Sequence, residues 1–433
     1  MRKGPARLDA AAPCPSGGRD PLCLPDGVPI WAAWGPMIQE TRHPTIQWLT
    51  VTACAAFFLY ASTPTLFSVC LRAIAADLGI SYGVQGSIVL ARAAVMGVAT
   101  LGAGYLADHL GKRCLLTAAM LSVAGGMFWM GRSGGLAGLL GGIAVTSVGL
   151  GGLEALNGAL ICDLHPRAVA SRVNFLYAFY PCGVVASALA AGTALDADVS
   201  WRLPFLTTVA PCVVIAAMYW VGGYPEAQPG TVAGRLTISR IIASGTFWLL
   251  VSAMLLAAGA MGCLVYWGPS FIQEAYGASA KAGSAGLALY MAAVAAGRFG
   301  MATATRFVPL LRLMLAMVVV GFISTLSVVL VDSLWATMAA LLLSGVAFSC
   351  FWPGVLALGV SRIGPGSTTL LAMLSTAGIV GFGLLPYGVG QLAGAWGLRL
   401  ALGVCPAAIA VMGVLLAVVS LRDSARASAG PKT

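Results

Sequence analysis

Few residues in this sequence are placed to do chemistry in an apolar setting. Two charged side chains, Glu154 and Arg92, stand deep inside apolar runs, in GLGGLEALNGAL and SIVLARAAVMG. A charge at the centre of a bilayer costs about 2.5–3.5 kcal/mol even on insertion scales, so such a residue faces a cavity or a polar partner. Glu154 precedes Asp163 by nine residues, roughly 13 Å along a helix and close to mid-span. Asn157 follows at i+3 and shares its face. Desolvation favours the neutral form of a carboxyl group, so Glu154 can bind and release a proton, or accept a hydrogen bond from a solute. The alternative is a structural Glu bonded to a neighbouring helix. Arg92 precedes Asp108 by sixteen residues, roughly 24 Å from the same end and about 10 Å beyond Glu154. It can reach inward to Glu154 or to an anionic solute, or extend to the opposite surface.

Neutral hydrogen-bonding groups complete a candidate site. Tyr60, Tyr177, Tyr180, Tyr266, Trp267, Gln273 and Trp352 lie in or beside other apolar runs. Apolar walls with a few converging polar groups suit sugars and small amphiphiles alike. Interfacial belts are the competing reading for each Tyr and Trp. No nucleophile–base pair or ligand cluster accompanies them: His43, His109 and His165 all fall at loops or run ends. Neither an enzyme nor a cofactor or metal is expected.

The elements that position these residues follow from composition. Of 433 residues, 59% are hydrophobic and 9% charged, against about 25% charged in a soluble domain. A soluble enzyme, nucleic-acid binder, disulfide scaffold and disordered chain are thereby excluded. Apolar runs of about 20 residues, each long enough to cross a bilayer as a helix, recur twelve times. They are predicted at 46–69, 85–107, 114–131, 136–162, 174–195, 203–222, 241–266, 283–304, 309–331, 334–360, 367–392 and 399–421. The expected partition is a disordered or interfacial segment 1–44 without a cleavable signal, a six-helix half 45–222, a linker 223–240, a second half 241–421 and a tail 422–433. Trp201-Arg202 before span six is echoed by Trp396-Gly397-Leu398-Arg399 before span twelve, as a duplicated unit requires. Eleven cysteines form no C-x-x-C or C-x-x-H pair and read as small packing residues. The net charge of +10 fits Lys and Arg held in cytoplasmic loops: 18 fall on the side bearing both termini, 5 on the other, and Arg92 within a span. Arg298 is counted among the 18.

The stretch Gly104-Tyr105-Leu106-Ala107-Asp108-His109-Leu110-Gly111-Lys112-Arg113 resembles the G-x-L-A-D-R-x-G-R-K signature of the major facilitator superfamily, with His109 replacing the usual Arg. The resemblance implies twelve helices in two six-helix halves, an all-α membrane fold with both termini cytoplasmic. Gly104, Asp108, Gly111, Lys112 and Arg113 would then form a gating motif, and spans one, four, seven and ten would line a central cavity. Trp267 and Trp352 would face that cavity from the second half. The corresponding place in the second half, Gly297-Arg298 onward to Arg306, is degenerate. Span four and its continuation also resemble the fucose-permease-like, sugar-transporting branch at Glu154, Asn157, Pro166, Arg167 and Asn174. Here Glu and Asn are three apart rather than four, and the acid of helix one is absent.

The expected function is secondary active transport of a small organic solute, sugar-like or an organic anion, by a monomer in the cell membrane. Glu154 would carry a coupling proton, and the partners are the solute, protons and the lipid bilayer, not nucleic acid. Efflux of a drug, siderophore or metabolite is the alternative, and a non-transporting membrane sensor or assembly factor the more remote one.

Overall fold

The computed structural model describes residues 44–165, 169–224, 238–305, 307–363 and 368–428. The described residues form fifteen helical segments and no strand. They are α1 (Pro44–Leu78), α2 (Tyr82–Leu110), α3 (Lys112–Arg132), α4 (Leu136–Leu164), α5 (Val169–Asp196), α6 (Arg202–Thr207), α7 (Val209–Val221) and α8 (Ile238–Ile242). Then come α9 (Gly245–Tyr276), α10 (Ala280–Ala304), α11 (Leu310–Leu330), α12 (Leu334–Phe348), α13 (Phe351–Arg362), α14 (Thr368–Ala401) and α15 (Val404–Ser428). The pair α6–α7 makes the sixth crossing and α12–α13 the tenth. Residues 1–43, 225–237 of the expected linker and 429–433 of the tail lie outside the described residues.

Among the described residues, eleven helices are long and apolar enough to cross a membrane. The crossing not among them is α10, which is dominated by Ala and Gly and carries Arg298. It packs against α5, α9 and α12, so protein rather than lipid covers much of it. Most helices outrun the predicted spans: α1 continues to Leu78 and α9 to Tyr276. Hydropathy marks the hydrocarbon-embedded part, whereas the hydrogen-bond ladder runs on into the interfacial zones.

One end of the bundle, the near end, bears the start of α1, the turn at Gly111 and the end of α15. The far end bears the Gly79 and Gly277 turns. At Gly111 the chain takes φ 77°, a left-handed conformation that a side chain resists, and α2 stops so that α3 can return. Pro64, Pro181, Pro269 and Pro386 stand inside helices. Pro353 does not bend one. It occupies the first turn of α13, where no backbone N–H is needed, and the tenth crossing breaks just before it, at Ser349 and Cys350.

The tryptophan–arginine echo has a structural counterpart. Arg202 Nε donates to the Ser133 carbonyl at the end of α3 at 2.9 Å, and Arg399 donates to the Val331 carbonyl at the end of α11 at 3.5 Å. Each Arg also pairs with an acid, Asp77 and Asp332 respectively. The same tie thus recurs in the first and last six crossings.

Those two sets meet tightly at the far end. A Cβ on Gly390 of α14 would lie 2.8 Å from the Tyr82 carbonyl oxygen and 2.9 Å from Gly86 Cα of α2, so backbone approaches backbone where only glycine fits. Lipid offers little hydrophobic drive between helices, which makes such close contact a main source of cohesion. Ser68 of α1 donates to the Val265 carbonyl of α9 at 2.5 Å, Gln391 to the Gly83 carbonyl at 3.0 Å, and Tyr82 to Glu274.

Candidate functional site

A cavity of about 910 Å³, counting its open mouth, lies between the two sets. Helical periodicity explains which side chains reach it. Phe57, Tyr60 and Pro64 project from one face of α1 at i, i+3 and i+7, and Arg92, Ala93 and Met96 from one face of α2. From the same set come Glu154 on α4, and Tyr177 with Tyr180 on α5. The last six crossings contribute Met261 and Tyr266 of α9, Arg298 of α10, Trp352 of α13, and Ile379 with Phe382 of α14.

Glu154 sits among tyrosines. The Tyr177 hydroxyl donates to Glu154 Oε1 at 3.4 Å, and Tyr60 interacts with the same carboxyl group. Tyr60 is stacked on Phe57 at 5.0 Å between ring centres, and Phe57 meets Tyr177 edge-on at 4.8 Å. These contacts fix the hydroxyls around the carboxyl group. Arg92 is 7% exposed and does not pair with Glu154. Its guanidinium instead donates across the cavity to the Tyr266 hydroxyl at 2.9 Å, a charge-assisted bond joining the two sets.

Arg298 corrects the reading of this residue as a loop cation. It lies in α10, six residues before Ala304, roughly 9 Å above the near end on the helical rise, and its side chain lines the cavity. Its Nε is buried without a hydrogen-bond partner. The distance argument that singled out Glu154 finds Arg298 as well. Its place close to the end of a predicted span, beside Arg306, disguised it as a topology anchor. Tyr180 lies within the fields of Arg92, Glu154 and Arg298 together.

Other expected site residues lie elsewhere. Asn157 is fully buried and accepts from the Tyr219 hydroxyl of α7 at 2.5 Å. Asn157 is offset from Glu154 by only about 60° around the helix, yet that side of α4 meets α7 rather than the cavity. Trp267 follows Tyr266 by one residue, about 100° around the helix, so it points away from the cavity. It is fully buried at the far end and donates to the Pro386 carbonyl at 3.0 Å. Gln273 bonds back to Pro269. The Asn174 side chain lies outside the described residues.

The motif around Gly111 binds within its own set. Lys112 pairs with Asp163 at the end of α4, and the Arg113 guanidinium lies 4.9 Å from the centre of the Trp220 ring. A Cβ at Gly104 would meet nothing, so that position imposes no close approach here. The Asp108 side chain lies outside the described residues. Arg362 and Asp423 likewise pair within the last six crossings. The polar contacts described at the near end therefore stay inside one set, in contrast to the far end. The described polar contacts that join the two sets thus gather at the far end.

The sequence pattern of the Major Facilitator Superfamily matches residues 49–370, well over half of the chain. The chain belongs to the major facilitator superfamily. This superfamily member is a multi-pass membrane transporter, not an enzyme. No curated protein matches the chain. Its fold is similar to that of a bacterial homologue of the human lysosomal transporter Spinster in an inward-facing, occupied conformation. There the TM-score is 0.74 at 15% identity, over 87% of this chain and 96% of that one. A D-xylose–proton symporter gives 0.70 at 14%, over 86% and 97%, and a mutant of the nucleoside transporter NupG gives 0.70 at 11%, over 86% and 99%.

Proposed function

We propose that this transporter moves a small organic solute by alternating access, coupled to protons through Glu154. The carrying observation is a carboxyl group held by tyrosines rather than by a cation, in a cavity between two sets whose described polar contacts to each other lie at the far end. Protonation of such a group changes the charge facing the solute, so proton and solute occupancy are linked. The near end is the cytoplasmic one on the distribution of Lys and Arg, and sets that meet at the far end fit an inward-open conformation. The two six-crossing sets, 45–222 and 241–421, rock about the cavity, and one chain suffices. Likeness in fold to a sugar–proton symporter supports this reading.

The test is reconstitution of the full chain in liposomes with an entrapped pH dye and an imposed pH gradient. D-xylose, uridine, lactate and benzoate are added in turn. At least one should be accumulated against its gradient with proton movement. Glu154→Gln should abolish accumulation while leaving solute exchange across the membrane. Accumulation that survives Glu154→Gln would refute the coupling role.

A further inference from the structure

We propose that Arg298 is the carboxylate contact of an anion site, with the charge of Arg92 farther along the same cavity, and that the solute is an organic monocarboxylate with an apolar or aromatic body. The proposal rests on the reading of this cavity as the transport site. A buried guanidinium nitrogen with no partner is costly and rare, and Arg298 Nε is in that condition on the cavity wall. Glu154 does not relieve it, because its contacts are Tyr60 and Tyr177. Arg92 spends its one described side-chain bond on Tyr266 and keeps other donors free. A guanidinium is a planar fork suited to a carboxylate. Phe57, Trp352 and Phe382 supply apolar surface for the rest of the solute.

Charge matching separates the monoanion from a sugar. The empty cavity with Glu154 ionised holds two guanidiniums and one carboxylate, a net charge of one positive. Adding a proton to Glu154 and a monocarboxylate to Arg298 leaves that charge unchanged. Loaded and empty transporters would then cross between conformations carrying the same charge, so the membrane potential acts on neither more than the other. A neutral sugar with a proton would instead raise the cavity to two positive charges, in surroundings where charge is expensive.

The experiment compares benzoate with its uncharged near-isostere benzamide. Binding to the full chain is read by tryptophan fluorescence, since Trp352 lines the cavity, and uptake is read in proteoliposomes with and without a potassium–valinomycin potential. Benzoate should bind at least tenfold more tightly than benzamide, and its proton-coupled uptake should not respond to the potential. Arg298→Gln should weaken benzoate on the order of 10- to 100-fold, the loss of a charge-assisted bond, and weaken benzamide far less. Arg298→Lys, which keeps the charge without the fork, should recover part of the affinity and guards against misfolding. Equal binding of the two probes, or Arg298→Gln binding benzoate as the wild type does, overturns the proposal. If D-xylose or uridine is accumulated in a Glu154-dependent way while benzoate does not bind, the anion site falls and the transport reading stands. If neither carboxylates nor neutral solutes move protons, both fall.

Discussion

The first and last six crossings share a frame but not a chemistry. In both, an Arg before the final crossing is tied to the carbonyl that ends the third one, Arg202 to Ser133 and Arg399 to Val331. Toward the cavity they diverge. The fourth crossing, α4, is unbroken and carries Glu154 near mid-depth, whereas the tenth breaks at Ser349 and Cys350 and presents Trp352. One set offers a carboxyl group in a tyrosine cluster. The other offers the Arg298 guanidinium, on walls that also carry Met261, Ile379 and Phe382. The shared frame thus accounts for where the cavity is, and the differing walls for what it can hold. A proton site on one set and an anion contact on the other would make occupancy sensitive to how the two sets lie against each other.

The sharpest way to break that comparison is at the bond that crosses it. Tyr266→Phe removes the acceptor of Arg92 at 2.9 Å. A bond to a charged group contributes about 1.5–3 kcal/mol, and here it favours the conformation in which the two sets meet at the far end. Spin labels at the exposed positions Ala76 and Lys281 would report the separation of the sets there. The ratio of long to short distances should rise on the order of tenfold or more. An unchanged distribution would mean that Arg92 and Tyr266 do not hold the two sets together.

How much of this was legible in the sequence depends on the kind of signal. Twelve crossings, their order and the turn at Gly111 follow from apolar length and one motif, because bilayer thickness imposes both. Glu154 and Arg92 were visible because charge in an apolar run is conspicuous. The direction of a side chain around its helix was not. Asn157 and Trp267 stand one to three residues from cavity-lining neighbours and yet face protein, since 100° per residue turns a one-residue difference into a change of environment. Arg298 was hidden by the opposite problem: near the end of a span, depth alone does not distinguish an anchor from a ligand contact.

Asn157 offers a smaller test, within one set. Its contact with Tyr219 is fully buried, so Asn157→Ala leaves the Tyr219 hydroxyl without its partner and should cost about 1–3 kcal/mol. Thermal unfolding in detergent should show the loss, with solute affinity unchanged. A change in affinity without a change in stability would return Asn157 to the site and blur the distinction between α4's two faces.

The smallest effect is expected at Lys112, and it bears on why the two sets differ at the near end. Lys112 pairs with Asp163, but the side chains are 28% and 46% exposed, and exposed pairs contribute about 0.2–1 kcal/mol. Lys112→Ala should therefore leave thermal stability nearly unchanged. The corresponding stretch of the last six crossings begins at Gly297-Arg298, and there the basic residue lines the cavity instead of tying one helix end to another. If this stretch has exchanged a structural role for a binding one, the two substitutions must separate in kind. Lys112→Ala should alter transport rate, if anything, with no change in the concentration of solute giving half-maximal uptake, whereas Arg298→Gln should change that concentration first. Equal effects of both on half-saturation would remove the distinction between the two near-end stretches.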